Sequence, residues 1–160
     1  MNTRVLVVED EADIANLVKH TLERDGDLSV EIEYFYRKNG CRKTSFDSIV
    51  ASGAGSSMPH YITSMTKKIE NGDALLVDMG CEYEGYNSDL TRTVFINSVE
   101  EDLNKIYGIV KEAQERAIGA VRPGISCGAL DSVARGLIAA AGYGDAFGHS
   151  LGHGVGMEVH

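Results

Sequence analysis

An apolar stretch and a returning strand joined by a turn limit this chain more than any other feature. A-L-L-V-D-M-G follows Gly72 and Asp73, Gly85 marks a turn, and residues 86–96 return as Y-N-S-D-L-T-R-T-V-F-I. Apolar runs bounded by turn residues predict a β-hairpin. Each arm carries an aspartate: Asp78 near the end of the first, and Asp89 eleven residues on, in the second. A carboxylate within an apolar strand is costly unless it is paired or bound to a cation. Two of them on neighbouring strands suggest a site for a hard divalent ion. In the alternative reading, Asp78 belongs to a turn and Asp89 pairs with Arg92. Residue types alone leave both open.

Around the hairpin the pattern alternates between helix and strand. Residues 4–8, R-V-L-V-V, read as a buried strand that stops at Glu9, Asp10 and Glu11. Asp13 is a candidate cap for the helix that follows. Ile14, Leu17, Val18 and Leu22 recur at helical spacing, and Gly26 closes that helix. Residues 29–38 predict a short helix ending at Asn39 and Gly40, residues 44–51 a strand, and residues 52–59 a Gly-rich loop. Behind the hairpin, Ser98 and Glu101 have the spacing of a capping box. The helix after them carries Leu103, Ile106, Tyr107, Val110, Ala113, Ala117 and Val121 on one stripe. Pro123 and Gly124 break it, a further helix covers residues 126–141, and Gly142 ends that one. The tail, G-H-S-L-G-H-G-V-G-M-E-V-H, reads as a loop running into a short strand. The order helix, break, helix, Gly, strand occurs in both halves, a weak internal repeat whose first copy has a shortened second helix.

Composition narrows the functional classes. A net charge of -9 argues against nucleic acid, whose phosphates recruit Lys and Arg, and suits a site that concentrates cations. No apolar run is long enough to span a membrane, and an acidic cluster stands where an export signal would be basic. Cys41, Cys81 and Cys127 have no paired spacing, which predicts reduced, buried thiols in a cytoplasmic protein. A thiol nucleophile is the functional alternative.

Histidines supply the second clue. His149, His153 and His160 crowd the C-terminal residues, among Gly148, Gly152, Gly154 and Gly156, which disfavour a helix there. His60 follows Pro59 in the Gly/Ser loop, and His20 reads as a solvated helix residue. Residues 77–93, V-D-M-G-C-E-Y-E-G-Y-N-S-D-L-T-R-T, resemble the metal-binding hairpin of the pita-bread metallopeptidases. That superfamily includes Xaa-Pro aminopeptidase, prolidase and methionine aminopeptidase. F-D-S-I-V-A-S-G up to Pro59 and His60 resembles its substrate-histidine loop, and H-S-L-G-H-G-V-G-M-E-V-H its histidine-bearing segment. Together these stretches occur in the family's order.

The resemblance implies an α/β (α+β) chain: a partial pita-bread fold with an antiparallel sheet and covering helices. It implies Asp78, Asp89 and His153 as ligands of two divalent ions (Mn, Co or Zn), with Asp89 bridging them. It implies His60 and His160 as catalytic groups that contact substrate and the tetrahedral intermediate, and His149 as a further substrate neighbour. The activity implied is removal of N-terminal residues from Xaa-Pro peptides. The expected partner is a peptide, with no nucleic acid and no membrane, and with homo-oligomers left open.

The residues depart from this pattern at both ends. The family's two glutamate ligands fall downstream of its last histidine, and here the residues stop at His160, with Glu158 a poor stand-in. The expectation is therefore a truncated set that is inactive by itself, or a non-catalytic module with weak metal or peptide binding. At the other end, the first strand and helix resemble those of a bacterial response-regulator receiver, with Glu9 and Asp10 as its Mg²⁺-binding pair. No receiver-like phospho-accepting aspartate follows, so a phosphorelay role ranks last. The expected organisation is a receiver-like strand and helix over residues 1–28 and a metallopeptidase domain over residues 29–160. Natural fusion, recombination and an assembled fragment would all produce it.

Overall fold

The computed structural model describes residues 12–23, 27–63 and 67–160. The strand expected at residues 4–8, the pair Glu9 and Asp10, and Gly26 lie outside them. The chain divides into two units, one of Met1–Val99 with Val155–His160, the other of Glu100–Gly154.

In the first unit, helices α1 (Ala12–Glu23) and α2 (Leu28–Lys38) precede the short strands β1 (Lys43–Thr44) and β2 (Ile49–Ser52). The hairpin follows as β3 (Ala74–Met79), β4 (Cys81–Tyr83), β5 (Tyr86–Asn87) and β6 (Leu90–Phe95). Two antiparallel sheets result, ordered β2-β3-β6 and β1-β4-β5. The single strand expected over residues 44–51 is thus two, one in each sheet. The hairpin also changes sheet between Met79 and Cys81.

Leu75, Val77 and Met79 alternate along β3 and share one face, where they pack with Val18 of α1, Leu28 and Ile32 of α2, and Val94 and Ile96. This alternation sends Asp78 to the other face. Leu75 is 0% exposed on the central strand. Leu75→Ala should cost roughly 2–5 kcal/mol, because the lost transfer energy adds to that of an unfilled cavity. Urea denaturation measures this, and a loss well under 1 kcal/mol would mean that the sheet is not packed on the helices as described.

α2 starts a residue earlier than expected because Asp27 caps it, its Oδ1 accepting from the Ser29 amide at 2.9 Å. Ser52 to Ser57 is not plain loop: residues Gly53–Ser57 form a 3₁₀ turn.

In the second unit, α3 (Glu101–Gly119) and α4 (Cys127–Ala140) pack through Ala113 and Ala117 against Ala134 and Ile138. Ser126 caps α4, accepting from the Ala129 amide at 3.2 Å, as the predicted boundary requires. α3 begins differently. Its cap residue is Glu100, without a side-chain cap bond, so the capping box expected from Ser98 is not formed. The predicted stripe also narrows: Val110 is 50% and Val121 64% exposed, and only Ala113 and Ala117 are buried on α3. No strand forms over residues 147–160, contrary to the short strand expected there. Among the described residues, no helix is long and apolar enough to cross a membrane.

Candidate metal centre

The site in the first unit is built where the hairpin changes sheet. Asp78 lies inside β3, opposite Thr91 and Ile49, so the turn reading of Asp78 falls. Asp89 stands just before β6. The two strands meet so closely here that a Cβ on Gly80 would lie 2.0 Å from the Ser88 carbonyl oxygen and 3.0 Å from the Phe46 ring. Around that contact, the Ser88 amide donates to Cys81 O at 2.9 Å and the Cys81 amide to Ser88 Oγ at 3.0 Å. Ser45 closes the third side, its amide donating to Gly80 O at 3.0 Å and its hydroxyl to Ser88 O at 2.9 Å. Glycine is required by close backbone approach, and the approach brings the carboxylates of Asp78 and Asp89 within hydrogen-bonding reach.

Burial is the main reason that the Asp78 carboxyl sits above its usual range. A hydrogen bond from Thr91 Oγ1, at 2.9 Å, opposes this; repulsion from Asp89 adds to it, and attraction to His60 offsets part. The same interactions place His60 in the electrostatic surroundings of Asp78. His60 itself is exposed and has φ of 55°, a left-handed backbone uncommon outside glycine and more frequent in Asn, Asp and His.

The C-terminal residues return to this place through Asn87. Its amide donates to Gly156 O at 2.6 Å, and its side chain to Met157 O at 2.9 Å. His160 is thereby delivered beside Asp89, the two offering ligand atoms within 4.8 Å of each other. The donor set is carboxylate oxygen and imidazole nitrogen. Neighbouring carboxylates that hinder each other's ionisation gain from a divalent cation, so the residues fit a hard or borderline ion.

His149 and His153 belong to the second unit, and both are exposed. The His149 ring meets Phe147 edge to face at 5.0 Å, and its Nδ1 lies 2.7 Å from Ser150 O. His153 Nδ1 lies 2.9 Å from Gly154 O.

The cysteines are not the buried thiols expected: Cys127 is exposed, and Cys41 and Cys81 are only partly buried. Cys41 and Cys81, forty residues apart, have their sulfurs 2.9 Å from each other. Burial first, and the Cys81 thiol second, push the Cys41 thiol up to about 11. It is a neutral thiol at physiological pH, which removes the reason to read it as a nucleophile. Tyr36, half-buried nearby, has its hydroxyl pKa raised by burial and by Cys81, Cys41 and Asp78.

Residues 9–160 match Metallopeptidase family M24. That stretch includes α1 and the acidic pair Glu9 and Asp10. The chain is 47% identical over 138 residues to an Xaa-Pro dipeptidase of Pyrococcus horikoshii, covering 86% of this chain and 39% of that protein. A prolidase structure from Pyrococcus furiosus superposes with a TM-score of 0.84 at 44% identity, over 92% of this chain and 44% of that one. An X-Pro aminopeptidase structure from Thermotoga maritima gives 0.82 at 40% identity, over 91% and 43%. The α/β fold with antiparallel sheets and helices agrees with these neighbours. The chain spans about two-fifths of the length of the curated relatives it matches.

Proposed function

Since this chain belongs to metallopeptidase family M24, we propose that its residues form part of a dinuclear metal site that hydrolyses Xaa-Pro peptides. The observation that carries the reading is the Gly80–Ser88 contact, which sets Asp78 against Asp89, with His160 beside Asp89. Asp78 and Asp89 would serve as carboxylate ligands and His153 as the imidazole ligand. Divalent ions (Mn, Co or Zn), when bound, supply Lewis-acid polarisation of the scissile carbonyl and lower the pKa of water. His60 and His160 would donate to the oxyanion as it develops, and His149 would contact the substrate. The substrate is a peptide, and a cytoplasmic setting suits the unlinked thiols.

The two glutamates that this ligand set also calls for are not among residues 1–160. The 160-residue polypeptide by itself is therefore expected to release no proline from an Xaa-Pro dipeptide, with or without Mn²⁺. Joined to a segment carrying the family's glutamates, it should show metal-dependent release that Asp89→Asn abolishes. Release by the 160 residues alone, lost in His153→Ala, would show that fewer ligands suffice. Absence of release by the joined polypeptide with Mn²⁺, Co²⁺ and Zn²⁺ would overturn the reading. Residues 1–28 keep a receiver-like sequence pattern, but the family match begins at Glu9 and takes in α1, so α1 is read with the metallopeptidase. Val18 of α1 packs in the core with Leu75 of β3, which ties α1 to the sheet that carries Asp78.

A further inference from the structure

Arg135 of α4 engages its guanidinium on several sides at once. Nε donates to Asp131 Oδ2 at 2.7 Å and Nη2 to Asp131 Oδ1 at 3.0 Å, a fork-to-fork pair one helical turn apart. Nη1 donates to Phe147 O and Nη2 to His149 O, each at 2.8 Å. The guanidinium carbon lies 4.5 Å from the centre of the Phe147 ring. Asp131 Oδ1 in turn accepts the Leu151 amide at 2.9 Å. An ion pair that served only α4 would end at Asp131. This one reaches off the helix to three backbone groups of residues 147–151, a stretch with no helix or strand of its own.

We propose that Arg135, seated by Asp131, is a positioning residue for the histidine-bearing segment: it fixes the backbone on both sides of Gly148, and so sets where the His149 imidazole stands and where the chain enters His153. This deepens the metallopeptidase reading, on which the roles of His149 and His153 rest. The clamp itself rests only on contacts within the second unit. Lysine cannot substitute. Its ammonium has the charge but not the planar fork that meets a carboxylate and two carbonyls together, nor the flat face laid on Phe147.

The test is NMR of the histidine rings in the 160-residue chain, with Arg135→Lys and Asp131→Asn as variants. The Phe147 ring beside His149 gives that imidazole a distinct shift in the parent chain. In Arg135→Lys, the His149 ring signals should move to unstructured values while those of His60 stay. Affinity for Mn²⁺, measured by calorimetry, should fall about tenfold, the lower end of what loss of an outer positioning group costs. A folded Arg135→Lys chain with unmoved His149 signals would overturn the proposal. If Arg135→Lys unfolds, Asp131→Asn keeps the arginine and is read in the same way; unfolding of both would assign the pair a purely structural role and also overturn it. A parent chain that binds no Mn²⁺ would sink the metallopeptidase reading alone, and the ring signals would still decide the clamp.

Discussion

Gly80→Ala should abolish divalent-ion binding and destabilise the chain together. The added methyl would sit 2.0 Å from the Ser88 carbonyl oxygen, and this neighbour is backbone, not the end of a flexible side chain. Relief requires the two arms of the hairpin to separate by about 1 Å or more, since real contacts of this kind lie near 3.5–4.0 Å. Overpacking of this kind typically costs about 1–3 kcal/mol, occasionally more. The separation falls between Asp78, two residues before Gly80, and Asp89, the residue after Ser88. Ligand bonds of about 2.0–2.2 Å do not tolerate such a displacement of one carboxylate from the other. The comparison is Gly136→Ala, in the interior of α4, where a Cβ meets nothing within 4 Å. It should stabilise by up to about 1 kcal/mol through helix propensity and leave ion binding as it was. Thermal melting with and without Mn²⁺ reads both variants. A Gly80→Ala chain that melts and binds like the parent would show that the close approach is not needed.

Asp78→Asn should separate stability from ion binding. Burial, together with repulsion from Asp89, raises the Asp78 pKa in the folded chain above its value of 3.8 in the unfolded one. The folded state then holds the proton more tightly than the unfolded state does. Ionised Asp78 therefore opposes folding, fully so above the folded pKa. The opposition is relieved as pH falls through the folded pKa, and it is gone below the unfolded one. Asparagine carries no charge at any pH, and its carbonyl oxygen can still accept the hydrogen bond from Thr91. Without metal at neutral pH, the variant should melt at the same temperature as the parent or higher, and the difference should shrink on acidification. With Mn²⁺, only the parent should gain stability, because only a ligand that binds the folded state shifts the equilibrium. A metal-free Asp78→Asn chain that melts far below the parent would contradict this and make the Asp78 carboxylate a structural group of the folded sheet.

Local signals in the sequence located most elements. The ends of α2 and α4 were legible because Asn39 with Gly40, and Gly142, stop helices by their own backbone preferences. β3 and β6 were legible because apolar runs bounded by turn residues are a local pattern. What escaped depends on contacts between distant residues. An alternating pattern does not say where a hairpin passes from one sheet to another, so the break at Gly80 and the split of residues 44–51 into β1 and β2 were hidden. Ser98 and Glu101 had capping-box spacing, yet α3 starts after Glu100. The tail reads as a loop running into a short strand, but no strand forms, and the Asn87 side chain holds its end in place of a ladder. Cys41 and Cys81 meet only because the turn after α2 is laid beside β4. For the candidate site, the aspartates and histidines stood out by type and setting. Gly80, Ser88, Thr91 and Arg135, which place them, did not, since an ordinary residue type gains such a role only from its neighbours in space.

The central claim is that Asp78 and Asp89 together hold a divalent ion. Its most direct test is calorimetric titration of Mn²⁺ into the 160-residue chain, beside the double variant Asp78→Asn, Asp89→Asn, at neutral and mildly acidic pH. The parent should show weak, saturable binding that fades on acidification, because carboxylate and imidazole ligands must be deprotonated to bind, and the double variant should show none. Equal Mn²⁺ binding by the parent and the double variant would contradict the account.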